Sequence, residues 1–142
     1  MEARDMRNTG ETADAVQRND RLLRTLTEKS LAGIYLVQDG VFRFLNTNAA
    51  SYANYEVDEL IGQKSGSFIH PEDRERVKAD ARAMLRGERN SPYVFRILTK
   101  QGETRWVMET VTPFFFNGRP ALIGNSMNIT DRMEAEERLR ES

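Results

Sequence analysis

A long β-type stretch, Thr104 to Phe116, constrains the fold of this chain more than any other feature. It ends at Asn117-Gly118, where both residues tolerate the positive φ that a type I′ hairpin needs. Strand alternation sorts its side chains into two sets: Val107, Glu109 and Val111 on one face, and Trp106, Met108, Thr110 and Phe114 on the other. Both sets carry large apolar groups, so both faces need cover from other parts of the molecule.

Two shorter β-type runs precede this stretch and follow a predicted helix. Residues 34–37 and 41–45 flank Asp39-Gly40, which is a tight hairpin signal. Upstream, from Asp20, a helical pattern places three leucines on one stripe: Leu22, Leu23 and Leu26. Gly33 is expected to break this helix, and the polar residues before Asp20 are interpreted as a leader.

A longer helix is predicted between the two groups of strands, from Pro71 to Arg86. Proline suits the first helical position because its missing N–H would be unpaired there anyway. Tyr93 to Lys100 and Pro120 to Ile129 are predicted strands on either side of the long stretch, and a charged helix from Asp131 to Glu141 follows. Strands at both ends with helices between them fit an α+β domain with one antiparallel sheet.

Composition excludes several classes of function. The 142 residues fit one domain, and a formal net charge of −1 gives no general attraction to nucleic acid or anionic lipid. The lack of cysteine removes disulfides, thiolate zinc sites and cysteine nucleophiles, and a single histidine excludes a site built from several imidazoles of one chain. No apolar run approaches the ~20 residues that cross a bilayer, so we expect no membrane insertion by this segment.

Five motifs, in order and at the right spacing, resemble those of the PAS domain over about Leu31 to Arg132. They are the first hairpin with its closing Asn46 (DGVFRFLN), the segment from Tyr55 to Gly62 (YEVDELIG), the helix opening from Ile69 to Arg74 (IHPEDR), the hairpin from Lys100 to Val107 (KQGETRWV), and the exit from Asn128 to Arg132 (NITDR). Asn54, Glu56 and Gln101 depart from the usual family pattern.

This resemblance implies a five-stranded antiparallel sheet in the order 2-1-5-4-3, with helices on one face that enclose a small pocket. It divides the chain into a leader with an N-terminal flanking helix (1–30), a PAS core (31–130) and a C-terminal signalling helix (131–142). Matched to cofactor-binding members of the family, the pocket residues would be Tyr35, Val37, Tyr52, Val77, Phe95, Ile97, Val107, Glu109, Val111, Leu122 and Ser126.

Glu109 is the most informative of these positions. A carboxylate that faces a pocket must be paired, protonated or hydrated, because burying it alone is costly. One hypothesis is that Glu109 binds a polar or cationic ligand group, with Ser126 or Tyr35 assisting. The alternative is that it lies at a solvated pocket mouth or pairs with a helix arginine such as Arg74 or Arg82.

The cofactor is left unknown. In haem-binding members of the family the iron ligand lies further inside the long helix, at a position that matches Val77, so His70 is interpreted as a capping residue. A cysteine-linked flavin is excluded by the lack of cysteine. Non-covalent flavin stays open, although Ile97, Val107 and Ser126 stand where the resemblance would favour amides.

The second sheet face suggests a homodimer. Its apolar members are Trp106, Met108, Phe114 and Phe116, and the stripe of Leu22, Leu23 and Leu26 is the expected cover, either from the same chain or from a second copy. Intrachain packing is the alternative. The closing helix has near-heptad apolar spacing, as a helix that runs into an output domain would have.

The resemblance implies a non-catalytic, cytoplasmic sensory domain of a signalling protein, most commonly a sensor histidine kinase, that binds a small ligand, dimerises, or both. One alternative is an interaction-only module whose pocket is filled by Tyr35, Tyr52, Phe68, Met84 and Phe95. Others are the sensor of a diguanylate cyclase or transcription regulator, and a small enzyme in which Glu109 acts as base and Tyr35 as oxyanion donor.

Overall fold

One antiparallel sheet with strand order β2-β1-β5-β4-β3 organises the computed structural model, which describes residues 18 and 21–141. The strands are β1 (Gly33–Gln38), β2 (Val41–Leu45), β3 (Tyr93–Leu98), β4 (Thr104–Phe116) and β5 (Arg119–Asn128). The predicted α+β class and the predicted strand order are therefore confirmed. Most of the predicted leader lies outside the described residues.

Two tight turns that were predicted from their residue types are confirmed. Asp39 and Gly40 have φ of 56° and 77°, and Asn117 and Gly118 have φ of 54° and 76°. Left-handed backbone at two successive positions is the type I′ geometry that matches the twist of the flanking strands. These turns fix the register of β1 on β2 and of β4 on β5.

The helices fall between and outside the strands. They are α1 (residues 21–27), α2 (Thr47–Ser51), α3 (Val57–Leu60), α4 (Arg74–Leu85) and α5 (Thr130–Glu141), with 3₁₀ turns at Ser65–Phe68 and Pro71–Asp73. No helix among residues 18 and 21–141 is long and apolar enough to cross a membrane.

Two predictions about helix ends need correction. Gly33 does not end α1, which stops at residue 27; Gly33 opens β1, where an added Cβ would lie 2.7 Å from the Tyr52 ring. The predicted single helix from Pro71 to Arg86 is a 3₁₀ turn followed by α4. The capping role of His70 is confirmed, because its Nδ1 accepts a hydrogen bond from the Glu72 N–H at 3.2 Å.

An ion pair fastens the start of α4 to β3. Asp73 is buried and accepts hydrogen bonds from the Arg96 backbone N–H (2.8 Å) and from the Arg96 guanidinium (2.7 and 3.0 Å). Hydrogen bonds from Arg96 lower the pKa of Asp73 to about 2. The HPED motif thus provides both the cap of this segment and its anchor on the sheet.

Asn46 joins α1, β1 and α2. It is fully buried, and its Nδ2 donates to the carbonyls of Thr27 (2.8 Å) and Ala32 (3.0 Å). Its Oδ1 accepts from the N–H groups of Ile34 (3.0 Å) and Ala49 (2.9 Å). All four hydrogen bonds that the amide can make with neighbouring backbone are therefore formed.

The outer sheet face is covered only in part. Leu36, Phe44 and Phe116 form a buried cluster there, and Leu23 of α1 packs on it. Phe116 is 4% exposed and is thus part of an intrachain contact, which corrects its placement on an open dimer surface. Trp106 and Met108 are half-buried, whereas three apolar side chains of the predicted set stay open: Leu22 (56%), Leu26 (67%) and Phe114 (37%).

The four hydrogen bonds of the Asn46 side chain predict a large loss of stability when that side chain is removed. In Asn46→Ala, two buried N–H groups and two carbonyls lose their partner, so the free energy of unfolding should fall by about 2 kcal/mol or more. Thr47→Ala is the matched control, because Thr47 is exposed and its hydroxyl bonds only to exposed Glu28. Urea denaturation measures both; equal losses in the two variants would contradict this role.

Candidate functional site

A cavity of about 680 Å³ lies between the inner sheet face and the helices. All five strands contribute residues to its walls, and α2, α3, α4 and the Ser65–Phe68 turn contribute most of the others. The walls are mainly aliphatic and aromatic. The volume falls within the range of about 300–1,000 Å³ that is typical of small-molecule sites.

All eleven residues that were predicted as pocket residues line this cavity. They are Tyr35, Val37, Tyr52, Val77, Phe95, Ile97, Val107, Glu109, Val111, Leu122 and Ser126. Strand alternation grouped Val107, Glu109 and Val111 on one face of β4, and the resemblance to PAS domains identified that face as the inner one.

Glu109 holds two tyrosine hydroxyls inside the cavity. The Tyr35 hydroxyl of β1 donates to its Oε1, and the Tyr93 hydroxyl of β3 donates to its Oε2 at 2.6 Å. The carboxyl group is buried, with 5% of the residue exposed. The three side chains will be called the carboxyl–phenol cluster.

Burial dominates the proton equilibrium of this cluster. It raises the pKa of Glu109 to about 7, although the hydrogen bonds from Tyr35 and Tyr93 act to lower it. Burial, and then the adjacent carboxylate charge, raise the pKa of both tyrosines well above the usual phenol range. Both hydroxyls therefore remain protonated donors, and Glu109 is the group that changes charge near neutral pH.

The two structural alternatives for Glu109 are wrong. It does not lie at a solvated mouth, because it is almost fully buried. It does not pair with Arg74, whose guanidinium donates instead to the carbonyls of Ile69 (3.0 Å) and Ser67 (3.3 Å). Arg82 is exposed on α4 and takes no part in the cluster.

Tyr93 is the member of the carboxyl–phenol cluster that the sequence analysis missed. It had been placed at the start of a strand without a role. In the register of β3 on β4 it lies directly opposite Glu109, where side chains on the same face are in reach of each other. The alternation that selected Phe95 and Ile97 would also have selected Tyr93, two residues before Phe95 on the same face.

A glycine makes room for the Tyr35 ring. Tyr35 lies opposite Gly124 in the pairing of β1 with β5, and Gly124 lies opposite Val111 in the pairing of β5 with β4. To reach Glu109 on β4, the ring must therefore extend across β5. A Cβ added at Gly124 would lie 2.5 Å from the Tyr35 hydroxyl oxygen, which only glycine avoids.

Ser126 and Tyr52 support the wall through hydrogen bonds of their own. The Ser126 hydroxyl donates to the Gly33 carbonyl at 2.9 Å, and the Tyr52 hydroxyl donates to the Ser126 carbonyl at 3.3 Å. Ser126 therefore already uses its hydroxyl proton within the chain. Of the two predicted helpers of Glu109, the structure brings Tyr35 to it and gives Ser126 another partner.

Bulky side chains leave the cavity open. Four of the five that were considered as fillers line its walls: Tyr35, Tyr52, Phe68 and Phe95. The fifth, Met84, packs against the buried cluster of Val77, Tyr93, Phe95, Val107 and Val111. Its sulfur lies 3.1 Å from the backbone nitrogen of Val111.

The mouth of the cavity carries charges of both signs. Lys64, Arg74 and Lys78 line it together with Glu75 and Asp39, and all five are exposed. Among the described residues, no group of three histidine, cysteine, aspartate or glutamate side chains could hold a metal ion.

Comparison with known proteins identifies the family. The family model described as PAS fold matches residues 42–125. No match was found among curated proteins.

Solved structures give a consistent picture. A PAS domain from Colwellia psychrerythraea has a TM-score of 0.68 at 17% identity, covering 78% of this chain and 97% of that one. A sensory box histidine kinase/response regulator from Burkholderia thailandensis has a TM-score of 0.62 at 27% identity, covering 84% and 91%. A light-oxygen-voltage (LOV) protein from Rhodobacter sphaeroides has a TM-score of 0.65 at 15% identity, covering 80% and 68%.

The raised pKa predicts a stability that depends on pH. Glu109 has an ordinary pKa of 4.5 and a folded value of about 7, so between these values the folded protein keeps a proton that the unfolded chain has lost. The contribution of this proton to the free energy of unfolding is complete below pH 4.5. It is lost as the pH rises to about 7, and the loss amounts to about 3 kcal/mol. Glu109→Gln has no such proton.

Urea denaturation of both proteins from about pH 4 to pH 8 measures the effect. The free energy of unfolding of the wild type, relative to that of Glu109→Gln, should fall across this window. A constant difference would show that Glu109 titrates as an ordinary glutamate.

The close approach at Gly124 predicts a specific defect. Gly124→Ala should displace the Tyr35 ring from Glu109 and lower the free energy of unfolding by about 1–3 kcal/mol, as overpacking does. Gly66→Ala is the control, because an added Cβ there meets no atom within 4 Å. Chemical denaturation of the two variants should separate them; equal stabilities would contradict the packing of Tyr35 on Gly124.

Proposed function

The chain belongs to the PAS family of sensory domains, and we propose that it detects a small molecule in the cavity behind Glu109 and passes the change to an output domain of a signalling protein. The observation that carries this proposal is the cavity itself. It has the volume of a small-molecule site, apolar walls and one buried polar cluster to orient a ligand. We propose all eleven lining residues of the sequence analysis as its ligand-binding wall.

A route from the cavity to the N-terminal side runs through α2. Ala49 of this helix and Tyr52 directly after it line the cavity, and the helix is capped by Asn46, whose amide also bonds the end of α1. The next side chains strengthen that junction, since Asn48 Nδ2 donates to the Ser30 (3.1 Å) and Leu31 (2.7 Å) carbonyls. A ligand that moves Tyr52 would therefore shift α1.

A second route leads to the C-terminal side through β4. The Trp106 N–H donates to the Thr130 hydroxyl at 2.9 Å, and the Ile129 N–H donates to the Trp106 carbonyl at 2.9 Å. These bonds fix the start of α5 on the strand that carries Glu109. We propose that residues 1–30 and 131–142 are flanking segments around a core of 31–130, and that the last of these leads into the output.

A histidine kinase is the output that we propose. The Burkholderia thailandensis structure carries that description, and its 27% identity spans most of both chains. A cytoplasmic location is proposed with it, because a kinase needs ATP. In this proposal the chain itself is non-catalytic, as PAS domains generally are.

Dimerisation is a second candidate function, and the open leucines of α1 favour it. Leu22 and Leu26 are 56% and 67% exposed, next to the outer sheet face on which Leu23 packs. Phe114 of β4 extends this apolar area. A second copy could cover these side chains without displacing the intrachain contact.

Ligand binding can be tested with a cavity-filling variant. Compounds that bind in the cavity should raise the melting temperature of the wild type. Ala81→Phe should abolish that rise, since Ala81 lines the cavity, whereas Ala83→Phe on the same helix should keep it because Ala83 does not. A thermal-shift screen of small apolar compounds measures this. The absence of any rise, or an equal rise in both variants, would contradict ligand binding in the cavity.

The dimer can be tested by charge on α1. Leu22→Glu combined with Leu26→Glu should dissociate it, because carboxylates would be buried at the contact. Ile61→Glu is the control, since Ile61 is also exposed (40%) but lies just after α3. Sedimentation equilibrium gives the masses; a dimer that persists in the double variant, or a monomeric wild type, would contradict this interface.

A further inference from the structure

The buried carboxyl group has no cationic partner among the described residues. Glu109 accepts hydrogen bonds from two neutral phenols, and it belongs to none of the salt bridges in the described part of the chain. Arg89, which lies over the Tyr93 ring at 5.7 Å, forms an ion pair with Asp80 at 3.4 Å and donates to the carbonyls of Ser91 (2.9 Å) and Pro92 (3.1 Å). Its charge is therefore not directed at Glu109.

The carboxylate also has acceptor capacity to spare. An ionised carboxyl group offers about four lone-pair positions, and the two phenols occupy one on each oxygen. The phenols fix the orientation of the group without saturating it. A ligand donor could thus bind without breaking either phenol hydrogen bond.

The type of donor follows from the charge. A neutral hydroxyl or amide would add a hydrogen bond and leave a buried negative charge uncompensated, which is costly in apolar surroundings. A cationic N–H donor would supply both the hydrogen bond and the missing counter-charge, and such bonds are roughly twice as strong as neutral ones.

Resting on the proposed ligand-sensing function, we propose that the ligand of this cavity is an organic cation, in which a protonated amine or amidine binds Glu109 and an apolar ring fills the rest. The walls suit such a ring. The rings of Tyr35 and Phe42 contact edge to face, with 5.6 Å between their centroids, and the centroids of Phe42 and Phe68 are 6.0 Å apart. Tyr52 and Phe95 line the same cavity. Aromatic faces also attract cations directly.

The mouth does not select for cations, so the preference is assigned to Glu109. Three basic residues (Lys64, Arg74 and Lys78) stand there against Glu75 and Asp39, and Asp39 is already paired with Arg119 at 2.8 Å. The net positive charge of these rim side chains would therefore repel a cation and not attract it. This makes Glu75→Gln the matched control for Glu109→Gln, because it removes the same charge from the exposed rim.

The experiment uses probes that differ only in the charged group. Calorimetric titration of the full chain at pH 8 compares three amines with their alcohols: tryptamine with tryptophol, 2-phenylethylamine with 2-phenylethanol, and hexylamine with hexanol. At least one amine should bind about tenfold or more tightly than its alcohol. Glu109→Gln should remove the preference, and Glu75→Gln should retain it.

The outcomes separate this inference from the proposed function. Alcohols that bind as tightly as the amines, or a preference that survives in Glu109→Gln, would overturn the cationic ligand while leaving a ligand-binding cavity intact. Binding of neither class to the wild type would overturn both. The comparison of amine with alcohol in the wild type needs no variant, so it stands even if Glu109→Gln does not fold.

Discussion

The buried carboxyl–phenol cluster is the interaction on which the cavity depends. A glutamate on the inner face of β4 is tolerated there because β1 and β3 each bring a phenol to one of its oxygens. The bond from Tyr35 spans β5 and requires the missing side chain of Gly124. One polar group thus links three strands across the face that the helices cover, and it is the one buried carboxyl group among the described residues that line the cavity.

Two other buried polar side chains also link secondary-structure elements through hydrogen bonds. Asp73 holds the start of α4 on β3 through Arg96, and Asn46 holds α1 and α2 on β1. Asp73 accepts from a backbone N–H of the edge strand β3, and Asn46 satisfies backbone groups at the end of α1, the start of β1 and the start of α2. The starts of α2 and α4, two helices that wall the cavity, are therefore held by hydrogen bonds, and Val77 of α4 packs on apolar side chains of the sheet.

Much of the fold could be predicted because its signals are local. The turns at Asp39-Gly40 and Asn117-Gly118 and the alternation along β4 could be predicted from local signals, whereas the strand order and the choice of the cavity face came from the resemblance to PAS domains. The partner of Glu109 could not be chosen among Tyr35, Ser126 and a helix arginine, because that depends on the register between distant strands. Coverage of the outer face could not be predicted for a similar reason: which of Leu22, Leu23 and Leu26 packs inward depends on the rotation of α1, and in the structure it is Leu23.

Glu109 is the buried acid that we expect to change its protonation near neutral pH. Because the other described carboxyl groups lie outside this cluster, the charge on Glu109 can be followed by itself. The direct measurement is a pH titration of the side-chain carboxyl carbons by NMR, with ¹³C-labelled glutamate and Glu109→Gln for assignment. We expect one glutamate carboxyl resonance to titrate at about pH 7 and to be missing from the spectrum of Glu109→Gln. A Glu109 resonance that titrates with the ordinary glutamates near 4.5 would contradict a buried carboxyl group without a cationic partner.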